Sequence, residues 1–206
     1  MSDVTIPMFP LSLVLFPGQI LPLHIFEIRY RTMVEEIIDE GGKFGVVLIE
    51  RGSEVGGGET RKNVGTLAEI IDSEKSSDGR WLLITKGMRR IQISKWLEDS
   101  PYPRAEISFA DDEKSIIYDR EEWLKTVNHM RRVLAILAEL GDDVSPFSIE
   151  ISEDPLLGSY EMSSVIPVTP FDSQKLLEAD SVKKRCDLLK EFLINLEETA
   201  HSRLLE

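Results

Sequence analysis

Residues 6–30 read IPMFPLSLVLFPGQILPLHIFEIRY, and the way this stretch folds decides the architecture of the chain. It is apolar enough for a helix but carries Pro7, Pro10, Pro17 and Pro22. Each proline removes a backbone donor and drives the residue before it toward extended geometry, so the stretch must be short extended pieces joined by fixed turns. Leu13 to Phe16 reads as a strand and Pro17-Gly18 as the tight turn that ends it. From Ile25 the period changes. Phe26, Tyr30, Val34 and Ile37 recur at helical spacing, Glu27 falls in the first turn and Gly41-Gly42 is the stop. The expectation is strand, turn, second extended segment and amphipathic helix.

Further along, Phe44 to Ile49 is a continuous, β-branched apolar run, which reads as a buried strand. Residues 51–63, with Gly56-Gly57-Gly58, read as a polar loop. Val64 to Ile71 is a strand, Ser76-Ser77-Asp78-Gly79 a hairpin turn and Trp81 to Thr85 the return strand. Gly87 to Ile93 reads as a further strand, with Ile91 and Ile93 on one face and Arg90 and Gln92 on the other. Ala105, Ile107 and Phe109 alternate in the same way. Short strands separated by turns, with one early helix, predict a small, partly closed β-barrel.

Asp111-Asp112-Glu113-Lys114 breaks the apolar pattern as a linker would. Beyond it Trp123, Val127, Met130, Leu134, Leu137 and Leu140 follow steps of four and three, and Gly141 closes that helix. Asp154-Pro155 fits an N-cap followed by proline at the first helical position. Phe171 to Glu178 is a short helix, and a last one carries Val182, Cys186, Leu189, Leu193 and Leu196 on one face. The fold class is therefore α+β, with a β-barrel over residues 1–115 and a small α-helical bundle over 116–206.

The chain has 206 residues, 42% of them hydrophobic, with 37 acidic against 24 basic side chains and a net charge of −13. Acidic residues outnumber basic ones in both halves. That field repels a phosphate backbone and argues against general nucleic-acid binding. A single cysteine, Cys186, cannot form an intramolecular disulfide and suits a reducing compartment. Met1-Ser2-Asp3 is no basic n-region, and the apolar stretch behind it is interrupted by prolines, Gln19 and His24. The reading is a cytoplasmic protein without a membrane span.

Phe9-Pro10-Leu11, Leu15-Phe16-Pro17-Gly18 and Leu21-Pro22-Leu23-His24-Ile25-Phe26-Glu27-x-Arg29-Tyr30, in that order and spacing, resemble the opening of the Lon-protease N-terminal, substrate-binding domain. Val64 to Ile70, Asp78-Gly79-Arg80, Gly87-x-x-Arg90 and Pro101-Tyr102 followed by Ala105-Glu106 resemble the family's later landmarks. The resemblance implies a PUA-like β-barrel followed by a helical part, and a role in recognising polypeptide. The long coiled coil, ATPase module and serine-lysine peptidase of the full protease have no counterpart in the sequence, so no peptidase activity carries over.

The residues themselves offer little chemistry. Gly56 to Asn63 has glycines and a lysine but not the spacing of a phosphate loop. His24 and Glu27 stand three apart, yet His129 and His201 are remote and no ligand cluster forms around the pair, so no metal or other cofactor is expected. Cys186 lies on an apolar stripe, as a small core residue does. Glu121-Glu122 and Asp142-Asp143 sit where solvated carboxylates are ordinary. Arg89 and Arg90 are candidate contacts on a barrel face of a kind that reads RNA in other proteins, but the acidity of the chain and the lack of interleaved aromatics weigh against it.

Phe16, Leu21, Phe26 and Tyr30 are first of all core candidates. If a binding surface exists, Leu23, Phe26, Arg29 and Tyr30 are its candidate residues, at the rim of the barrel where the helical part begins. The expected function is non-enzymatic recognition of unfolded or hydrophobic polypeptide, with a protease or chaperone as an associated machine. The rivals are an adaptor that docks on a separate protease or other folded partner, and a small-molecule or RNA-binding module using the barrel.

Overall fold

The first strand begins earlier than hydropathy suggests. In the computed structural model, which describes residues 4–110, 119–144 and 150–204, β1 spans Val4–Leu11. Leu13 to Phe16, expected as strand, is irregular. Val4 to Pro7 pairs antiparallel with β6 (Arg104–Phe109), and Met8 to Leu11 pairs parallel with β3 (Lys43–Arg51). Each half of β1 thus has its own partner, and Pro7 and Pro10 cost each ladder one donor rather than breaking one long ladder.

Val14, Leu15 and Phe16 are buried all the same. Burying a large apolar side chain stabilises by about 1.5–3 kcal/mol, so the segment needs no ladder of its own. Its polar groups are met individually. Thr66 Oγ1 donates to the Leu15 carbonyl, the Phe16 N–H donates to Gln19 Oε1, and Gly87 bonds both residues after Pro17, with Gly18 N to Gly87 O at 2.8 Å and Gly87 N to Gln19 O at 2.9 Å. A buried strand and a buried irregular segment have the same apolar run, which is why periodicity misassigned it.

After β2 (Ile20–Ile25) the helix α1 spans Ile28–Ile37 and is finished by a 3-10 turn over Ile38–Glu40. Glu27 is the N-cap, so Phe26 precedes the helix instead of opening it and is 50% exposed. Tyr30, Met33, Val34 and Ile37 form the buried stripe. Gly41, at φ +96°, ends the turn in a conformation that costs other residues strain.

The remaining strands are β4 (Thr60–Lys75) and β5 (Trp81–Trp96). β5 is one long strand where two were expected, and the β4–β5 register shifts between Leu67 and Ala68 and between Ile70 and Asp72, which lets a continuous strand bend. The order is β2-β5-β4-β3-β1-β6, and β5 also pairs with β6, so five strands close a ring and β2 lies outside it along β5. The expected barrel is therefore fully ringed. All five ring strands contribute to one core cluster, Met8, Val47, Leu67, Ile91, Ile93, Ala105 and Ile107. A second cluster packs the outer face of the ring and β2 against α1, through Phe9, Leu21, Ile25, Tyr30, Val34, Phe44 and Leu83.

The chain divides into two units, Met1–Asp111 and Asp112–Glu206. The linker expected at 111–114 and the boundary expected at 115/116 lie outside the described residues. The second unit is helical: α2 (Arg120–Glu139), α3 (Pro155–Val165), α4 (Pro170–Glu178) and α5 (Val182–Leu204). Asp119, Asp154 and Thr169 cap α2, α3 and α4 by accepting a bond from the first turn, and Pro155 and Pro170 occupy the first helical position.

Gly158 lets α3 approach Trp123, whose Cζ2 would lie 2.5 Å from an added Cβ. Cys186 is fully buried. Its neighbour Arg185 is too, and nothing in the sequence marked it. The Arg185 guanidinium lies 3.7 Å from the Tyr160 ring centroid and donates to Ser159 Oγ and to the Leu176 and Ala179 carbonyls. A buried cation so placed joins the C-terminal end of α4 to α5 through these carbonyls.

Candidate functional site

Within the first unit a groove of about 240 Å³ runs beside the opening stretch. Phe9, Pro10, Leu11 and Leu13 form one wall, Leu21 to His24 of β2 the other, and Phe26, Glu27 and Tyr30 lie at the start of α1; Glu54 and Val55 make the rim. β2 pairs only with β5, and that leaves its other edge free. Two larger hollows exist among the described residues. One, of about 420 Å³, is lined by Glu69, Asp72, Ser73, two glycines and Ile38, Ile70 and Ile71, and one of about 310 Å³ by Glu122, Lys125, Thr126, His129, Lys190 and Ile194. Ile71 in the first and Ile194 in the second are half exposed, whereas the smaller groove gathers Phe26 and Val55, both half exposed, with Leu13, 38% exposed.

Three of the four sequence-predicted residues, Leu23, Phe26 and Tyr30, line this groove. Arg29 does not line it but braces it. Its Nε donates to Glu27 Oε2 at 3.2 Å, its Nη2 to the Glu54 carbonyl at 3.2 Å, and its guanidinium lies 4.4 Å from the Tyr30 ring centroid. The Glu54 carboxylate in turn accepts from the Ser12 N–H. Through Glu54 the 52–58 loop, whose Gly52, Gly56, Gly57 and Gly58 all have positive φ, is tied to both the opening stretch and α1. Sequence reading treated this loop only as polar spacer. The signal that could have placed it is Val55, one apolar residue in a run of glycine and charge.

Tyr30 is 3% exposed, its ring meets Phe9 edge-on at 4.4 Å, and its hydroxyl has no partner in the protein. Burial pushes its pKa up; Glu59 and Glu27 push the same way, and Arg29 opposes them. Glu59 is itself buried. Its Oε1 accepts from Arg61 Nε at 2.8 Å, and Arg61 also pairs with Asp99 and stacks over Trp96.

Of the other sequence candidates, His24 lines the groove from β2, exposed, with its ring 6.0 Å from that of Phe26, and the two arginines lie elsewhere. Arg90, expected on the face opposite Ile91, is 5% exposed; the Leu67/Ala68 register shift opposite this part of β5 disturbs simple alternation. Its Nε donates to the Ala110 carbonyl. Arg89 is partly buried, with its guanidinium 4.1 Å from the Phe109 ring centroid. Both arginines are engaged within the barrel. Among the described residues no group of three or more His, Cys, Asp or Glu side chains is placed to hold a metal ion, and no helix is long and apolar enough to cross a membrane.

A closed barrel flanked by an apolar groove, with a separate helical unit, makes this an α+β protein. Residues 5–195 match the family described as the ATP-dependent protease La (LON) substrate-binding domain, and the chain belongs to that family. It is 30% identical over 198 residues to a Lon protease of Parabacteroides distasonis, covering 94% of this chain and 24% of that protein. A LON peptidase N-terminal domain and RING finger protein of Schizosaccharomyces pombe is 23% identical over 227 residues, with 94% of this chain and 46% of that one covered. Among solved structures, the fold is shared with a Lon N-terminal domain protein from Xanthomonas campestris, at a TM-score of 0.69 and 24% identity over 91% of this chain and 98% of that one. It is also shared with the N-terminal domain of a Mycobacterium avium complex Lon protease, at 0.64 and 16% over 92% and 98%. The chain spans about a quarter of the length of the Lon proteases it matches.

Proposed function

We propose that this chain is a recognition module without chemistry of its own, and that it takes an apolar segment of unfolded polypeptide into the groove beside β2. The observation that carries this reading is the convergence of half-exposed Phe26 and Val55 with Leu13 and Leu23 on one groove. Apolar side chains exposed together mark interaction sites. At about 240 Å³ the groove lies below the roughly 300–1,000 Å³ of small-molecule sites and suits one or two side chains of a longer ligand. Family membership supports the same role, and the cytoplasmic setting rests on the single cysteine.

The test is a fluorescence-anisotropy titration with a labelled, permanently unfolded polypeptide. Leu23→Asp, Phe26→Ser and Arg29→Glu, each checked for folding, are run beside the parent protein. Saturable binding that survives salt and weakens in the variants is expected. Absence of binding at high protein concentration would sink the reading.

A second reading, docking on a folded partner, draws on a different surface. The β2–β5 and β5–β4 registers put Ile20, Pro22, Leu82 and Ile84 on one outward face, and Ile20, Leu82 and Ile84 are 48%, 49% and 36% exposed. The same registers put His24, Lys86, Asp72 and Glu74 beside them, and apolar side chains interspersed with charge suit a folded surface better than a flexible apolar chain. Loss of binding to a folded protease on Leu82→Asp, with unfolded-chain binding intact, would separate the two.

A further inference from the structure

Tyr30 is the one groove residue that combines near-complete burial with an unmet polar atom: it is 3% exposed, and its hydroxyl has no hydrogen-bond partner in the protein. Burying a hydroxyl unpaired costs free energy that a phenylalanine of the same shape would not. The ring alone accounts for the packing on Phe9 and the stacking under Arg29. Packing therefore explains the ring and leaves the hydroxyl without a use in the unliganded fold.

We infer that the Tyr30 hydroxyl is a ligand-binding donor of the groove, giving its hydrogen bond to a main-chain carbonyl of an apolar polypeptide segment whose side chain lies against Leu23 and Phe26. This inference rests on the functional reading above and deepens it. The phenol is protonated at neutral pH, as any tyrosine of ordinary pKa is, and burial pushes its pKa further up, so it can donate. The groove is lined mostly by apolar side chains, and a main-chain carbonyl is present at every residue of any polypeptide that enters it.

β2 cannot supply this reading alone. Its edge beside the groove is free, but Pro22 removes one of the N–H groups through which an added strand would pair. The hydroxyl is sealed from solvent, and the rim beside it yields most easily at the 52–58 loop. Four glycines at positive φ lie in that loop, and Glu54 ties it down by its carboxylate to Ser12 and by its carbonyl to Arg29. A segment entering the groove displaces Val55 and presents its carbonyl to Tyr30.

The experiment compares the full chain with Tyr30→Phe, measuring thermal unfolding and the anisotropy titration with the labelled unfolded polypeptide. Loss of one hydrogen bond at the ligand predicts binding about three- to tenfold weaker. Because the variant removes an unmet polar atom, its Tm is expected to hold or to rise by about 2 °C. The opposite signs are the signature, since a merely structural hydroxyl would lower Tm. Equal affinity in the two proteins overturns the inference and leaves the functional reading standing. A Tm lowered by several degrees also overturns it, because the hydroxyl would then have a partner inside the fold. If the parent protein itself does not bind, both fall.

Discussion

Gly87→Ala tests how the opening stretch is held in place. Gly87 sits in the middle of β5 with φ outside the left-handed region, so an alanine there has no backbone strain to pay for. The conflict is steric. An added Cβ would lie 2.2 Å from the Phe16 carbonyl oxygen and 3.0 Å from its carbon. Backbone atoms cannot swing aside as the end of a flexible side chain does, so the Pro17 turn or β5 must move. Overpacking of this kind costs about 1–3 kcal/mol. The movement also disturbs the bonds from Gly18 N to Gly87 O and from Gly87 N to Gln19 O, worth about 0.5–1.5 kcal/mol each.

The sum is a loss of about 2–6 kcal/mol from the barrel unit, a fall in Tm on the order of 10 °C or more. Gly56→Ala is the matched control. At φ +101° it is strained, but nothing lies within 4 Å of its Cβ, so only a backbone penalty of about 1–2 kcal/mol applies. Urea unfolding followed by tryptophan fluorescence compares the midpoints at constant slope. A Gly87→Ala protein within about 0.5 kcal/mol of the parent, or no less stable than Gly56→Ala, would refute the account.

Arg185→Ala is expected to destabilise the helical unit by about 3 kcal/mol, because the Leu176 and Ala179 carbonyls lose their donor and a cavity opens beneath Tyr160. Arg185→Lys recovers little of this, since a point-like ammonium cannot reach the same spread of acceptors, and denaturant titration reads both. Stability is also expected to fall with acid. The hydrogen bond from Arg132, aided by His129, holds the Glu197 carboxyl below its ordinary value of 4.5, and the bond from Arg203 does the same for Asp142. A carboxyl whose folded pKa is depressed stabilises above the unfolded value and loses that contribution as pH falls through the folded one. The Tm is therefore flat near neutrality and declines below about pH 4.5. At the other end, burial and the bond to Glu36 raise the Tyr102 pKa to about 12. Its stabilising share is complete below the ordinary value of 10 and is lost as pH climbs toward 12, which phenolate absorbance follows.

Much of the fold is legible in the residues. The period-3.6 stripes of α2 and α5, the Asp154-Pro155 start of α3 and the Ser76 to Gly79 hairpin follow from local chemistry that tertiary context did not override. Leu13 to Phe16 failed because a buried irregular segment and a buried strand share one hydropathy pattern, and only Thr66, Gln19 and Gly87, distant in sequence or silent in type, tell them apart. Phe26 failed as a helical residue because Glu27, expected in the first turn, is the N-cap. At the groove, Leu23, Phe26 and Tyr30 could be named from the opening motif, whereas the Glu54–Val55 rim could not. Its place is set by contacts with Ser12 and Arg29 that lie 42 and 25 residues away.

The pairing of β1 carries a consequence for how the chain comes to be folded. Val4 partners Ile107, so the ring cannot close until the segment at β6 is available, although α1, β3 and the β4–β5 hairpin can form from nearer neighbours. As the polypeptide emerges during synthesis, β1 waits with one half able to join β3 and the other half without a neighbour. That leaves Val4 to Pro7 an open edge for most of the time the barrel is being made, and closure is a late, long-range event of the kind that slows folding. Pro7 removes one donor from that exposed edge and blunts it against pairing with other chains while it waits.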